Sequence, residues 1–219
     1  MMNVISVNIG LPRDVSFNNQ TITTGIFKTS INKKLKVTKL NLEGDAQADL
    51  SVHGGFDKAV YAYPVEHYPY WKKVFPDKKL SHGMFGENLT TQGLFEDSVN
   101  IGDVYEIGTT RLIVTQPRMP CYKLGIKFGR MDIIEKFIHS KKPGIYFRVL
   151  REGELEAGNE IRLIKSDVNK VKVNDIVWLY VNEPMNSNKK KLLEKAAKLK
   201  YLPTGWKTHF QNKLNNSNL

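Results

Sequence analysis

Of all the side chains here, the one best suited to chemistry is Cys121, the single cysteine of the chain. It lies in Gln116-Pro117-Arg118-Met119-Pro120-Cys121-Tyr122-Lys123-Leu124, where two prolines fix φ on the approach to the thiol and Arg118 and Lys123 flank it with positive charge. Cationic neighbours favour the thiolate, the form required by a soft or high-valent metal and by a nucleophilic step. The plainer alternative is a buried cysteine serving as a small hydrophobe. The flanking charges and prolines weigh against it, because inert cysteines usually sit in apolar surroundings. A lone cysteine also excludes an intramolecular disulfide and a Cys-rich zinc site.

Three further segments carry residue types that could act with it. His53 is followed by Gly54 and Gly55, a pair that permits unusual backbone dihedrals and close approach of a ligand, and that equally suits a tight turn with a satisfied surface histidine. Gly83-Met84-Phe85-Gly86-Glu87-Asn88-Leu89-Thr90-Thr91 offers amide and hydroxyl donors to a phosphate. It lacks the Gly-Lys-Ser/Thr ending of a P-loop, so alone it reads as a structural turn. In Gly144-Ile145-Tyr146-Phe147-Arg148-Val149-Leu150, Arg148 interrupts an apolar strand. Pointing outward it is solvated; pointing inward it needs an anion, for which a phosphate matches its fork of donors.

These residues must be positioned by a scaffold that is mainly β with some α. Val4 to Val7, Leu35 to Leu40, Ala59 to Tyr63, Val99 to Ile107, Arg111 to Thr115, Ile145 to Leu150 and Ile161 to Ile164 are rich in β-branched and aromatic residues and read as strands. Gly108-Thr109 marks a hairpin and Arg151-Glu152-Gly153-Glu154 another turn. Many short strands with few long crossovers point to a barrel or sandwich. Helices are expected at Val65 to Val74 and Met131 to Ser140, the second ending at Lys141-Lys142-Pro143-Gly144. After Ser166 the periodicity becomes helical: Val173, Ile176, Val177, Tyr180; then Leu192, Leu193, Ala196; then Trp206, Phe210, Leu214. The boundaries expected are a β-domain over 1–165 and a three-helix domain over 166–219, whose short helices must pack on one another or on the β-domain.

The chain has 219 residues, 41% of them hydrophobic, enough for one substantial core and a small satellite. No apolar run approaches the roughly 20 residues of a membrane span, and the first residues lack a secretory pattern, so a cytoplasmic protein is expected. With 33 Lys and Arg against 22 Asp and Glu, the formal charge of +11 favours anionic partners. Much of the excess lies in Lys189, Lys190, Lys191, Lys195, Lys198 and Lys200, opposed there only by Glu194, a run that reads first as a solvated helix face.

Taken together, DAQADLSVHGGFDKAVYAYPVEHYPYW (45–71), FGENLTTQGL (85–94), VNIGDVYEIG (99–108), QPRMPCYKL (116–124) and GIYFRVL (144–150) resemble the MOSC family, in particular its YiiM-like branch, and the C-terminal helices resemble that branch's 3-alpha domain. The resemblance implies a closed MOSC β-barrel, of the pyruvate-kinase-barrel-like type, in a homodimer. It implies that Cys121 coordinates molybdenum held by a pyranopterin cofactor, and that N-hydroxylated compounds such as 6-hydroxylaminopurine are reduced to the amine; pyridoxal phosphate is not expected. On the matching segments, Arg118 and Arg148 would hold the pterin phosphate, and Asn88 and Lys58 would bond the cofactor. A proton is needed for water to leave, and His53 is the first candidate to deliver it, because its unperturbed pKa lies near neutral; Glu87 is the second.

The chain carries no GxGxxG fingerprint, no cysteine set for an iron–sulfur cluster and no CxxCH haem site, so a separate electron-donor protein is implied, with the Lys189 to Lys200 run as a docking face for an acidic one. Two rivals stand beside this reading. Cys121 could carry sulfur as a persulfide for metal–sulfur or cofactor assembly. A nucleic-acid-binding module would suit the charge, but the aromatic and basic interleaving of an RNA-binding sheet is missing.

Overall fold

The computed structural model describes residues 1–48, 54–183 and 186–216. His53 therefore lies outside the described residues. The strands are β1 Asn3–Ile9, β2 Arg13–Phe17, β3 Gln20–Thr24, β4 Thr29–Ile31, β5 Leu35–Val37, β6 Val60–Pro64, β7 Leu89–Gln92, β8 Val104–Ile107, β9 Thr110–Pro117, β10 Ile145–Arg151, β11 Gly153–Leu155 and β12 Ile161–Lys165. The helices are α1 Tyr68–Val74, α2 Tyr122–Phe128, α3 Ile133–His139, α4 Val173–Val181, α5 Ser187–Ala197 and α6 Thr204–Asn216.

Eight strands form one mixed sheet in the order β12-β8-β9-β10-β6-β7-β1-β4, antiparallel except for the parallel pair β6 and β7. The remaining four make two small pairs, β2 with β3 and β5 with β11. The hairpin expected at Gly108-Thr109 is present, with Ile107 opposite Thr110 and Gly108 in the left-handed region at φ 56°. A methyl group on Gly108 would lie 2.3 Å from the Glu154 carbonyl oxygen, so the turn requires glycine for space as well as for φ. The strand expected over Val99 to Ile107 is shorter, because the Asp103 carboxylate accepts from the Asn100 backbone N–H at 2.9 Å and its side-chain amide at 3.1 Å, folding that stretch into a turn.

The closed barrel expected from the sequence is not found as a continuous ladder among the described residues. From Val7 onward one edge of β1 is taken by β4, which leaves only Met2 to Val4 for the segment leading into β12. There the sheet ends meet through a single bridge, Asn3 opposite Glu160, with Ile161 N–H donating to Met2 O at 2.8 Å and Val4 N–H to Asn159 O at 2.9 Å.

Strand alternation distributes the core to both faces of the sheet. In β6, Val60 and Ala62 join the cluster that includes Val7, Leu112 and Phe147, while Tyr61 and Tyr63 enter an aromatic cluster with Trp71, Phe75, Phe85, Phe128 and Phe137. Helices α1 to α3 supply most of that second cluster. The three C-terminal helices form where their periodicity placed them, and Ile176, Leu193 and Phe210 belong to the same apolar cluster as Val7 and Phe147.

Candidate functional site

Strand β9 delivers the thiol. It ends at Pro117, the chain continues through Arg118, Met119 and Pro120, and Cys121 becomes the N-cap of α2 in an extended conformation, φ −128° and ψ 170°. Pro120 restricts the residue before it to extended geometry, which carries the strand direction up to the cap. Helix α2 then closes on the left-handed Gly129. Cys121 is half-buried, and its carbonyl accepts from Leu124 N–H at 2.9 Å.

The same strand fixes the turn that carries Lys58. Thr115 Oγ1 donates to the Asp57 carbonyl at 2.7 Å, and Arg148 of β10 grips the Asp57 carboxylate, its Nε 2.8 Å from Oδ1 and its Nη2 on the same oxygen. Arg148 thus braces the Phe56–Lys58 turn and is not among the residues that line the cavities beside Cys121.

Those cavities are two, and Lys58, Met119, Cys121 and Tyr146 line both. The first is a narrow pocket of about 90 Å³ lined by Lys28, Lys58, Asn88, Arg118, Cys121 and Lys123 among others, with four cations and no carboxylate among its described lining residues. Arg118 is buried; its Nη1 donates to the Phe85 carbonyl and its guanidinium lies 5.0 Å from the Tyr61 ring centroid. Burial opposes its charge, but Tyr61, Tyr146 and Cys121 outweigh that and hold its pKa above the ordinary value, so it stays protonated. Burial lowers the pKa of Lys58, with Asp57 and Cys121 pulling the other way. Lys28 is likewise lowered by burial against the pull of Asp45, to which its Nζ is paired. Burial also raises the phenols of Tyr61 and Tyr146, which therefore remain neutral.

Asn88 stands in the wall of this pocket. Its Nδ2 donates to Asp45 Oδ2 at 2.8 Å and its Oδ1 accepts from Tyr61 N–H at 3.1 Å, so it ties the cationic corner to β6. Glu87 is placed differently. Wholly buried, its carboxylate accepts from the Tyr68 hydroxyl, Gly83 N–H at 2.8 Å, Phe85 N–H at 3.0 Å and Thr90 Oγ1 at 3.0 Å. It organises the Gly83 to Asn88 loop and does not line either cavity.

The second cavity is a cleft of about 780 Å³ between the Cys121 loop and the C-terminal helices, where Tyr180, Trp206 and His209 face it. The structure thus brings together Cys121, Arg118, Asn88 and Lys58 of the residues expected from the sequence, and sets Glu87 and Arg148 behind them. Sequence reading passed over Lys28 and the aromatic side chains of α4 and α6. Lys28 sits in a segment with no motif, and Trp206 carried only the signal of a helix core.

Residues 49–162 match the MOSC domain family. The Escherichia coli protein YiiM is 39% identical over 159 residues, covering 71% of this chain and 71% of that one. A protein of Gibberella moniliformis named a reductase is 33% identical over 147 residues, 66% of this chain but 26% of that one. The crystal structure of YiiM from Geobacillus stearothermophilus superposes with a TM-score of 0.80 at 33% identity, covering 98% of this chain and 100% of that one. With the family match and these similarities, the chain that carries a lone thiol at the head of a cation-lined pocket belongs to the MOSC domain family and is of the YiiM-like kind.

Proposed function

We propose that this MOSC protein holds a molybdenum–pyranopterin cofactor with Cys121 as the protein ligand to the metal, and reduces N-hydroxylated compounds, 6-hydroxylaminopurine among them, to the corresponding amine. The observation that carries the proposal is the position of Cys121, which opens both onto the cationic pocket and onto the larger cleft. The residues present fit the cofactor. Four cations without a lining carboxylate suit a phosphate. Among the described residues no group of three or more His, Cys, Asp or Glu could hold a metal ion, so a metal at Cys121 would take its other donors from a cofactor, as a dithiolene provides.

When bound, the cofactor supplies the two electrons that cleave the N–O bond. The rest falls to the chain. Arg118 and Lys123 offset the phosphate charge, while Asn88 and Lys28 shape that corner through their shared partner Asp45. The balanced change is R–NHOH plus two electrons and two protons to R–NH2 and water, so a proton must reach the departing oxygen. Lys58 lies on both cavities and holds a proton at Nζ; its lowered pKa makes that proton easier to give up. His53 keeps its candidacy as the first proton donor, while the four hydrogen bonds accepted by Glu87 argue against the second. The protein works in the cytoplasm as a homodimer and takes its electrons from a separate acidic donor protein.

The test is elemental analysis and pterin detection on protein made in a cofactor-competent host, wild type against Cys121→Ala. Molybdenum and pterin near one per chain, lost in the variant at unchanged melting temperature, is the expected result. A persulfide on Cys121 without molybdenum would instead establish the sulfur-carrier reading.

A further inference from the structure

The cleft on the far side of Cys121 has a wall that the reaction described above does not use. Tyr180 of α4 remains 41% exposed there although its neighbours Ile176 and Val177 are buried. Its ring centroid lies 5.4 Å from that of Trp206, edge-on at 67°, and 5.0 Å from that of His209, tilted at 38°, so three rings from two helices form one aromatic cluster whose faces are set at angles to one another. Trp206 is tied to the strand that carries the thiol: its Nε1–H donates to Gln116 Oε1 at 2.8 Å, and Gln116 lies one residue before the end of β9, which runs directly into the Cys121 loop. His209 Nε2 is enclosed with no hydrogen-bond partner among the described residues, and burial, with Lys213 adding to it, lowers the pKa of the ring so that it is neutral at pH 7. The wall is therefore uncharged, in contrast to the cationic pocket on the other side of the thiol.

We propose that Trp206 and Tyr180, with His209 beside them, are specificity-determining residues that select a neutral, planar heteroaromatic ring by stacking, and so place its N-hydroxyl group toward Cys121. The inference rests on the reductase reading for the reaction but assigns the selection to the C-terminal helices. A cleft of about 780 Å³ lies in the usual size range for small-ligand sites. Its asymmetry divides the labour: the charged pocket takes an anion, and the aromatic side takes a ring. Loss of one stacking partner is expected to cost about tenfold or more in affinity for the ring.

The experiment uses cofactor-loaded protein and two N-hydroxylated compounds, 6-hydroxylaminopurine and the aliphatic acetohydroxamic acid, with equilibrium dialysis of adenine, the ring of the expected product, as an independent arm. In Trp206→Leu and in Tyr180→Leu, the ratio of kcat/KM for the purine to that for the hydroxamate falls about tenfold, mainly through KM, and adenine affinity falls with it. Trp206→Phe, which keeps a ring but loses the hydrogen bond to Gln116, restores part of the ratio. Tyr180→Leu leaves the Trp206 tether in place, so a loss there cannot be ascribed to helix α6 coming loose. An equal loss for both compounds, or adenine binding unchanged in both Leu variants, overturns the proposal. Should wild type reduce neither compound, the reductase reading fails. The dialysis arm still decides the wall, since adenine bound by wild type and released by the Leu variants supports it and adenine bound by neither overturns it.

Discussion

Lys127 stitches together the two loops at the edge of the cationic pocket, its Nζ donating to the Ile26 carbonyl at 2.8 Å and to the Gly83 carbonyl. Burial pushes its pKa down to about 7, with Glu87 pulling it up and Arg118, Lys28 and Arg13 pushing it further down. In the unfolded chain the ammonium returns to the ordinary value of 10.5, so between about 7 and 10.5 the unfolded state binds a proton that the folded state lacks. This contribution therefore makes stability rise with pH across that window, and below about 7 the burial penalty is complete. The urea midpoint of Lys127→Met should rise less between pH 7 and pH 9 than that of wild type; an identical slope in the two proteins would refute the assignment. The same residue scale shows what a sequence can and cannot reveal. Cys121 was legible because Arg118, three residues before it, is also its electrostatic neighbour, whereas Lys58 and Tyr146 reach it only through the fold. Glu87 and Arg148 were not, because a residue type does not disclose what already occupies it: four donors in one case, Asp57 in the other. Lys28 reaches the pocket only through the fold, next to an Asn88 that is far away in sequence.

At the scale of elements, α6 holds the aromatic wall in place through Phe210, which is fully buried one turn beyond Trp206. Phe210→Ala should cost about 3–5 kcal/mol, seen as a lowered denaturation midpoint, because the transfer and cavity terms add at a fully buried position of the apolar core. A loss under about 1 kcal/mol would mean that α6 is not anchored by this side chain. The three C-terminal helices and the Gly108 hairpin were readable because each is specified locally, by apolar spacing or by a turn residue. Helix α2 was not, since its seven residues follow a proline-rich strand end and hold Gly125, a poor helix former, at their centre. The hairpin β2 with β3 escaped for a related reason: Asn18 and Asn19 occupy the left-handed region at its turn, φ 50° and 58°, without the glycine that usually announces such a turn.

Over the whole molecule the charge of +11 is divided between an interior and an exterior purpose. Lys28, Lys58, Arg118 and Lys123 face the pocket, while Lys191, Lys195, Lys198 and Lys200 stand exposed on and after α5. If that outer set receives an acidic electron donor, replacing these four lysines with glutamine should lower turnover with the donor protein several-fold and flatten its salt dependence. Molybdenum content and turnover with a small artificial reductant should be retained. Unchanged donor-dependent turnover would place the docking face elsewhere.

The way the sheet is joined also has a consequence for how the protein is made. Strand β1 is synthesised well before the segment 158–161, yet among the described residues part of its edge is hydrogen-bonded to that segment alone, with β7 on its other side. Until those later residues have been synthesised, β1 carries open main-chain donors and acceptors, the feature that makes an edge strand pair with the wrong partner. The nascent chain thus has a long interval in which β1 is open to mispairing, a vulnerability that the stability of the finished fold does not remove.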